Sequence, residues 1–440
     1  MKEIFRKKIT SFLLISIFML MNVLTGCEEK ASEAMATAVA EDVTANETQT
    51  KPIETTEVET TEPPFVQTEI NLMMIGDMLM HEGVQSSGLC DDGTYNYDHL
   101  FRFISEDIKA ADIAIVNQEV ILGGVELGLS GYPCFNCAYE VGDAIADAGF
   151  NVVLHATNHT LDKRGQGVDN CINYWRTNHP KIAVLGMNKT EADTENIYVY
   201  EQNDIKIAIL NYTYGTNGIN PPEGREYIVN YLDEDRVIND LAKANEIADF
   251  VIVCPHWGTE YTLTETDNQK QWAQLFADNG ADLVIGTHPH VIEPVKWVDG
   301  ANGGHTLVYY SLGNFVSNQD RAARMLGAMA KVVIADNEDG EVFIKEYGVE
   351  PLVTHQLSGA GQIGTYRLSD YTSELASQNR IMRKDSTFSY DYLVNTSEEV
   401  FGDLYSEGES CIMVNAEEMW DAEEVDADTE PSLGNENIGE

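Results

Sequence analysis

Ala281-Asp282-Leu283-Val284-Ile285-Gly286-Thr287-His288-Pro289-His290 shows how this chain is built. Leu283 to Ile285 is an apolar run of strand length. The preceding segment, Asn268 to Asn279, has helical spacing and is closed by Gly280, a natural cap. Two histidines separated by a proline then follow the strand. That is a poor way to build an apolar core and a direct way to place two imidazoles at a strand end.

The same unit recurs upstream. Ile70 to Ile75 reads as a strand ending at Gly76-Asp77, and Ile113 to Val116 as a strand ending at Asn117-Gln118-Glu119. Val152 to Leu154 is a strand followed by Asn158-His159, and Phe250 to Cys254 a strand ending at His256. Helices are expected over 100–111, 141–148 (capped by Gly149), 166–177 and 233–248, with a further strand at 182–185. Residues 197–211 read as a hairpin turning at Asn203-Asp204. Strands near 306–311, 329–335 and 341–347 end the pattern as an antiparallel part. Short apolar strands alternating with amphipathic helices predict an α/β domain with a largely parallel sheet.

In open α/β sheets, sites form at the carboxyl ends of strands. Asp77, Glu119, Asn158, His159, His256, His288 and His290 all lie just after an expected strand. Taken singly, several have plainer readings. Asp77 follows a glycine and suits a turn. Glu119 suits a helix N-terminus, and His256 suits a ring stacked on Trp257. Of the ten histidines, four fall in these motifs. Carboxylates, imidazoles and one amide form a ligand set that suits one or two divalent ions such as Zn, Mn or Fe. Such a centre activates water and stabilises charge on a phosphoryl-like oxygen.

Six blocks carry a family resemblance: Met74-Ile75-Gly76-Asp77, Asn117-Gln118-Glu119, Asn158-His159-Thr160-Leu161-Asp162, His256-Trp257-Gly258-Thr259-Glu260-Tyr261, Gly280-Ala281-Asp282 with Gly286-Thr287-His288-Pro289-His290, and Tyr310-Ser311-Leu312-Gly313-Asn314-Phe315. In this order they resemble the CapA family of capsule and poly-γ-glutamate synthesis proteins, over about residues 68 to 355. That family is similar to calcineurin-like metallophosphoesterases. The resemblance implies a layered α/β sandwich with mixed sheets. It implies metal ligands at Asp77, Glu119, Asn158, His256, His288 and His290, with Glu119 bridging. His159 then faces the substrate as a catalytic residue. Two positions depart from the phosphoesterase pattern: Leu79 stands where a histidine is usual, and the bridging residue is a Glu rather than an Asp. His81 lies close by as a substitute donor.

The ends read differently. Lys2, Arg6, Lys7 and Lys8 precede an apolar stretch from Ser11 to Leu24, too short for a comfortable membrane span. Residues 1–27 therefore read as a signal peptide. Leu24-Thr25-Gly26-Cys27 resembles a bacterial lipobox, which implies diacylation at Cys27 and anchoring on the extracellular face of the cytoplasmic membrane. Residues 28–64 are expected to be a disordered acidic stalk. The domain is expected over 65–355, an appendage over 356–410 and an acidic disordered tail over 411–440. Cys134-Phe-Asn-Cys137 is a lone C-x-x-C and reads as ordinary thiols or one local disulfide.

The formal charge is −46. That argues against nucleic acid as a partner and against adsorption to anionic lipid through a basic patch. The expected partners are the membrane, through the lipid, other capsule-synthesis membrane proteins and an anionic polymer. A polyanion is repelled at long range, so contact must be local and basic, or metal-mediated. Arg164, Arg225, Arg321 and Arg324 are the loop candidates. Two functions remain: a metal-dependent hydrolase or transferase, and a non-catalytic component of a synthesis complex.

Overall fold

The computed structural model describes residues 65–301, 303–357 and 362–416. The segments expected to be a signal peptide (1–27) and a stalk (28–64), and residues 417–440 of the expected tail, lie outside the described residues. Among the described residues, no helix is long and apolar enough to cross a membrane.

Two mixed sheets form the centre. The strands are β1 (Glu69–Met78), β2 (Ile113–Asn117), β3 (Val152–Leu154), β4 (Ala183–Leu185), β5 (Tyr198–Gln202), β6 (Ile205–Thr213), β7 (Phe250–His256), β8 (Leu283–Ile285), β9 (Val295–Asp299), β10 (His305–Tyr309), β11 (Asn314–Val316), β12 (Leu326–Asp336), β13 (Val342–Gln356), β14 (Ile363–Arg367) and β15 (Val414–Asn415). The first sheet runs β14-β13-β12-β1-β2-β3-β4, with β11 beside β1 and β15 beside β13. The second runs β5-β6-β7-β8-β10-β9. β1 to β4 pair in parallel, as do β6, β7, β8 and β10. Antiparallel strands flank both parallel sets. The one largely parallel sheet expected from the alternation is thus two mixed sheets, the arrangement that the family resemblance implies.

The helices are α1 (Glu82–Ser87), α2 (Ser105–Ala110), α3 (Glu140–Ala148), α4 (Arg164–Asn178), α5 (Glu234–Ile247), α6 (Asp267–Asp278), α7 (Ser373–Gln378) and α8 (Tyr390–Phe401). Strand alternation sorts the core into layers. Ile70, Leu72 and Met74 of β1 join Ile207 and Ile209 of β6 and Ile252 of β7 in one apolar cluster between the sheets. Met73 and Ile75 point the other way and pack with Val141 and Ile145 of α3 and Val168 of α4. Val251 and Val253 of β7 likewise pack with Val237 and Leu241 of α5 and Phe276 of α6. The result is a helix–sheet–sheet–helix sandwich.

Local signals explain most boundaries. Asp233 caps α5 by accepting from the Arg236 amide, and Thr266 with Gln269 forms a capping box on α6. Asn203 and Asp204 both take positive φ at the β5–β6 turn. The helix expected over 100–111 forms only from Ser105, because a 3₁₀ turn and further turns occupy 98–104.

The carboxyl-terminal expectations need correction. The strand expected at 341–347 continues to Gln356, and β14 pairs with its end, so residues 363–367 belong to the first sheet rather than to an appendage. Phe388, Leu393, Val394 and Phe401 join the cluster between the sheets. The acidic tail does not begin at 411. β15 pairs with β13 at Glu346 and Tyr347, and the Cys411 amide donates to Glu350 at 2.7 Å. Buried Glu350 needs such partners, which is why the chain stays docked there.

Candidate metal centre

Parallel strands of both sheets deliver their carboxyl ends to one place. From the first sheet come Asp77 within β1, Glu119 two residues past β2, and Asn158 four past β3. From the second come His256, the last residue of β7, and His288 and His290 from the loop after β8. All six are buried. His256 Nε2 lies 3.0 Å from Asn158 Oδ1 and 3.9 Å from Glu119 Oε1. His290 Nε2 lies 3.7 Å from the same Glu119 oxygen, and His159 Nε2 lies 4.0 Å from it. The His256 and His288 rings sit 4.8 Å apart. Donor atoms of Glu119, His288 and His290 lie within 4.8 Å of one another. The residues read from five separated stretches of sequence therefore share one pocket.

Close backbone packing makes this convergence feasible. β1 and β11 approach so tightly at Gly76 that a Cβ there would stand 2.0 Å from the Gly313 carbonyl oxygen. Asp77 and Asn314 are partners in that pairing. Asn314 sits beneath His290: its Oδ1 is 3.1 Å from His290 Nδ1, and its Nδ2 donates to the His290 carbonyl. His288 and His290 take φ of 101° and 60°, a costly region for residues with a Cβ. Asp77 Oδ2 holds this loop by accepting from the His288 amide and from His290 Nδ1.

The electrostatics divide the imidazoles. Burial pushes His256 and His288 well below the usual histidine range, so both are neutral and able to offer a lone pair. Burial also opposes charge on His290, but Glu119 and Asp77 outweigh it and raise that imidazole to about 9. Burial drives the Glu119 carboxyl well above its normal range; His290 opposes the shift and Asp77 adds to it. Both Glu119 oxygens, His288 Nδ1 and Asn117 Oδ1 are buried without a hydrogen-bond partner. Unpartnered buried donor atoms of this kind are costly unless something binds them. Imidazole nitrogens beside a carboxyl group are the donor set a divalent transition ion takes once it displaces their protons, so the residues fit such an ion.

His159 faces the same pocket without belonging to the tightest donor cluster. Its Nδ1 donates to Asp162 Oδ2 at 2.7 Å, and Phe135 packs edge-on against the ring. Asp162 and Asn117 are the functional neighbours that strand-end reading did not single out. The spacing of His159 and Asp162 within one turn was the available signal. Asn117, whose Nδ2 donates to Asp77 Oδ1 at 2.8 Å, gave none. Leu79 is buried in the apolar cluster behind β1 and brings no donor to the pocket. His81 packs on Phe135, and burial, then His290, lowers it to about 4. Among the loop arginines, Arg225 is taken up by Asp169 through two hydrogen bonds. The six cysteines among the described residues, Cys134 and Cys137 included, are free.

A two-sheet α/β sandwich with a buried His/Glu cup at the strand ends defines an α/β protein with a candidate metal centre. The chain belongs to the bacterial capsule synthesis protein family PGA_cap, whose model matches residues 71–319. It is 29% identical over 217 residues to the PGA biosynthesis protein CapA of Bacillus subtilis, covering 49% of this chain and 54% of that protein. It is 26% identical over 279 residues to the capsule biosynthesis protein CapA of Bacillus anthracis, covering 61% and 65%. The match thus spans between half and two thirds of those relatives. Among solved structures, the Haemophilus influenzae NAD nucleotidase aligns with a TM-score of 0.41 at 12% identity, covering 67% of this chain and 54% of that one. A 5'-nucleotidase precursor from Thermus thermophilus aligns with a TM-score of 0.41 at 13% identity, covering 65% and 54%.

Proposed function

We propose that this chain acts at the cell surface in the synthesis, export or attachment of an anionic envelope polymer such as poly-γ-glutamate, through a metal-dependent hydrolase or transferase site at the strand ends. The observation that carries the reading is the set of unpartnered buried atoms on Glu119 and His288 beside a His159 that Asp162 already orients. In this reading Asp77, Glu119, Asn158, His256, His288 and His290 hold one or two divalent ions. A bound ion of this type supplies Lewis acidity and a lowered water pKa. The chain's own part is to exclude bulk water, fix the acceptor geometry and move a proton at His159 Nε2. Two assays on the purified protein test it: bound metal by elemental analysis, and hydrolysis of a generic aryl phosphate. A metal-free protein inert toward phosphoesters after metal addition would sink the enzyme reading.

The alternative is a non-catalytic scaffold in a membrane-bound synthesis complex. Leu79 favours it, because an apolar side chain is buried where the resemblance calls for a ligand. Metal bound without turnover would select this reading. Location is part of the same proposal: Cys27 is read as the lipidated first residue of the mature chain. Cys27→Ser should release the protein into the medium or leave an unprocessed precursor. Normal processing with unchanged membrane association would remove the anchor.

A further inference from the structure

The proposed polymer is a polyanion, and the chain carries a formal charge of −46. Something at the pocket must offset that repulsion locally. Arg324 is placed to do so. Its guanidinium carbon stands 3.5 Å over the Tyr261 ring, whose centroid is 6.1 Å from that of His290. Its carbonyl oxygen accepts from Asn314 Nδ2, the same amide that supports His290. The base of the arginine is therefore tied to the metal-centre loop while its head stacks on Tyr261 and stays partly exposed.

The head is also only loosely partnered. Its nearest carboxylate is Asp320, at 3.6 Å from Nη1, and Arg321 shares that carboxylate at 3.8 Å. Arg225, by contrast, has its fork filled by Asp169. A flat guanidinium braced on an aromatic face keeps its N–H edge free for bidentate bonding to an oxyanion.

We infer that Arg324 is a ligand-binding residue of this site: it grips an oxyanion, a carboxylate or a phosphate, that lies beside the group held by the His/Glu cup. This rests on the pocket being the ligand site proposed above. It adds a selection rule: the preferred ligand carries a second acidic group next to the one at the centre. A γ-linked glutamate chain has such carboxylates on every residue, and a phosphorylated polymer has phosphates.

Calorimetric titration of the full-length protein, with metal content measured first, separates the outcomes. The probes are a short γ-linked glutamate oligomer, the same oligomer with side-chain amides, and inorganic phosphate. The variants are Arg324→Gln, Arg324→Lys and, as a control on the same loop, Arg321→Gln. The expected result is about tenfold weaker binding of the acidic oligomer to R324Q, the size of one charge-assisted contact. R324K should recover part of it. Metal content, melting temperature and R321Q affinity should match wild type. Loss for phosphate instead of the oligomer keeps Arg324 as the oxyanion grip and assigns the source to phosphate. Equal affinity of R324Q and wild type for both anions overturns the inference, as does an equal loss in R321Q. Wild-type protein that binds neither anion overturns it too. Anion binding that depends on Arg324 in a protein without metal would keep this inference and remove the metal reading.

Discussion

Asp162 Oδ2 accepts from His159 Nδ1 at 2.7 Å and from the Phe135 amide at 2.6 Å, so one carboxylate fixes both a pocket imidazole and the aromatic ring packed against it. With Nδ1 engaged as a donor, Nε2 is the nitrogen left for the pocket. The imidazole is thereby held in one tautomer and one orientation.

His159→Ala should leave bound metal unchanged and lower any phosphoester hydrolysis by about 10²–10⁴-fold. Asp162→Asn should act in the same direction with a smaller loss, because the ring stays but its tautomer is no longer set. Elemental analysis beside initial rates checks both. A loss of metal in H159A would make His159 a ligand instead.

His288→Ala should weaken metal binding by at least about tenfold. The buried Nδ1 of His288 has no internal partner, so no existing bond of that atom is lost. Competition with a chromogenic chelator measures it, and a similar effect is expected from Glu119→Gln. Unchanged affinity in H288A would place the ion elsewhere.

Gly76→Ala should destabilise the fold by about 1–3 kcal/mol through overpacking. The new methyl meets the Gly313 carbonyl, and relief requires separating β1 from β11. Thermal melting would register the loss. An unshifted melt would mean that the strands separate freely there.

Glu293 gives a pH dependence. Its carboxyl is buried, and burial, opposed by Gln269 and aided by Glu265, raises it to about 8. A raised carboxyl binds more protons folded than unfolded. Its contribution is therefore full below the unfolded value near 4.5 and is lost as pH rises through 8. Glu293→Gln should keep the Gln269 contact and flatten the decline in stability between pH 5 and about 8.5. Parallel slopes in denaturant titrations of mutant and wild type would refute the assignment.

A chain ending at residue 410 should be less stable than one ending at 416 by about 1–3 kcal/mol, because Glu350 loses the Cys411 amide and β13 loses β15. Chemical unfolding of the two compares them directly. Equal midpoints would show that the 411–416 pairing adds nothing.

The parallel half of the fold was legible because its signals are local. Val152 to Leu154 and Leu283 to Ile285 are short apolar runs ending in polar residues, and the structure has strands with those same limits. The antiparallel half depends on pairing at long range. β13 contains Gly348 and Pro351, which interrupt a strand pattern, yet β12 pairs with it across both. β11 has only three residues and is defined by its neighbours β1 and β12 rather than by composition. The pocket followed the same division. The acids and imidazoles at or just past the parallel strands announced themselves, whereas Asn117, although it ends β2, and Asn314 act through contacts with Asp77 and His290 that no spacing encodes.

The six expected donors are divided evenly between the sheets: Asp77, Glu119 and Asn158 come from one, and His256, His288 and His290 from the other. The two layers otherwise meet largely through the apolar cluster between them, which is tolerant of small sliding in a way that coordination geometry is not. Anything that shifts one layer, including a substitution on an outer helix far from the pocket, changes the register of three donors against three. Occupancy of the cup should in turn clamp the sandwich, so that hydrogen exchange slows on β1 and β7 together when the ligand set is filled.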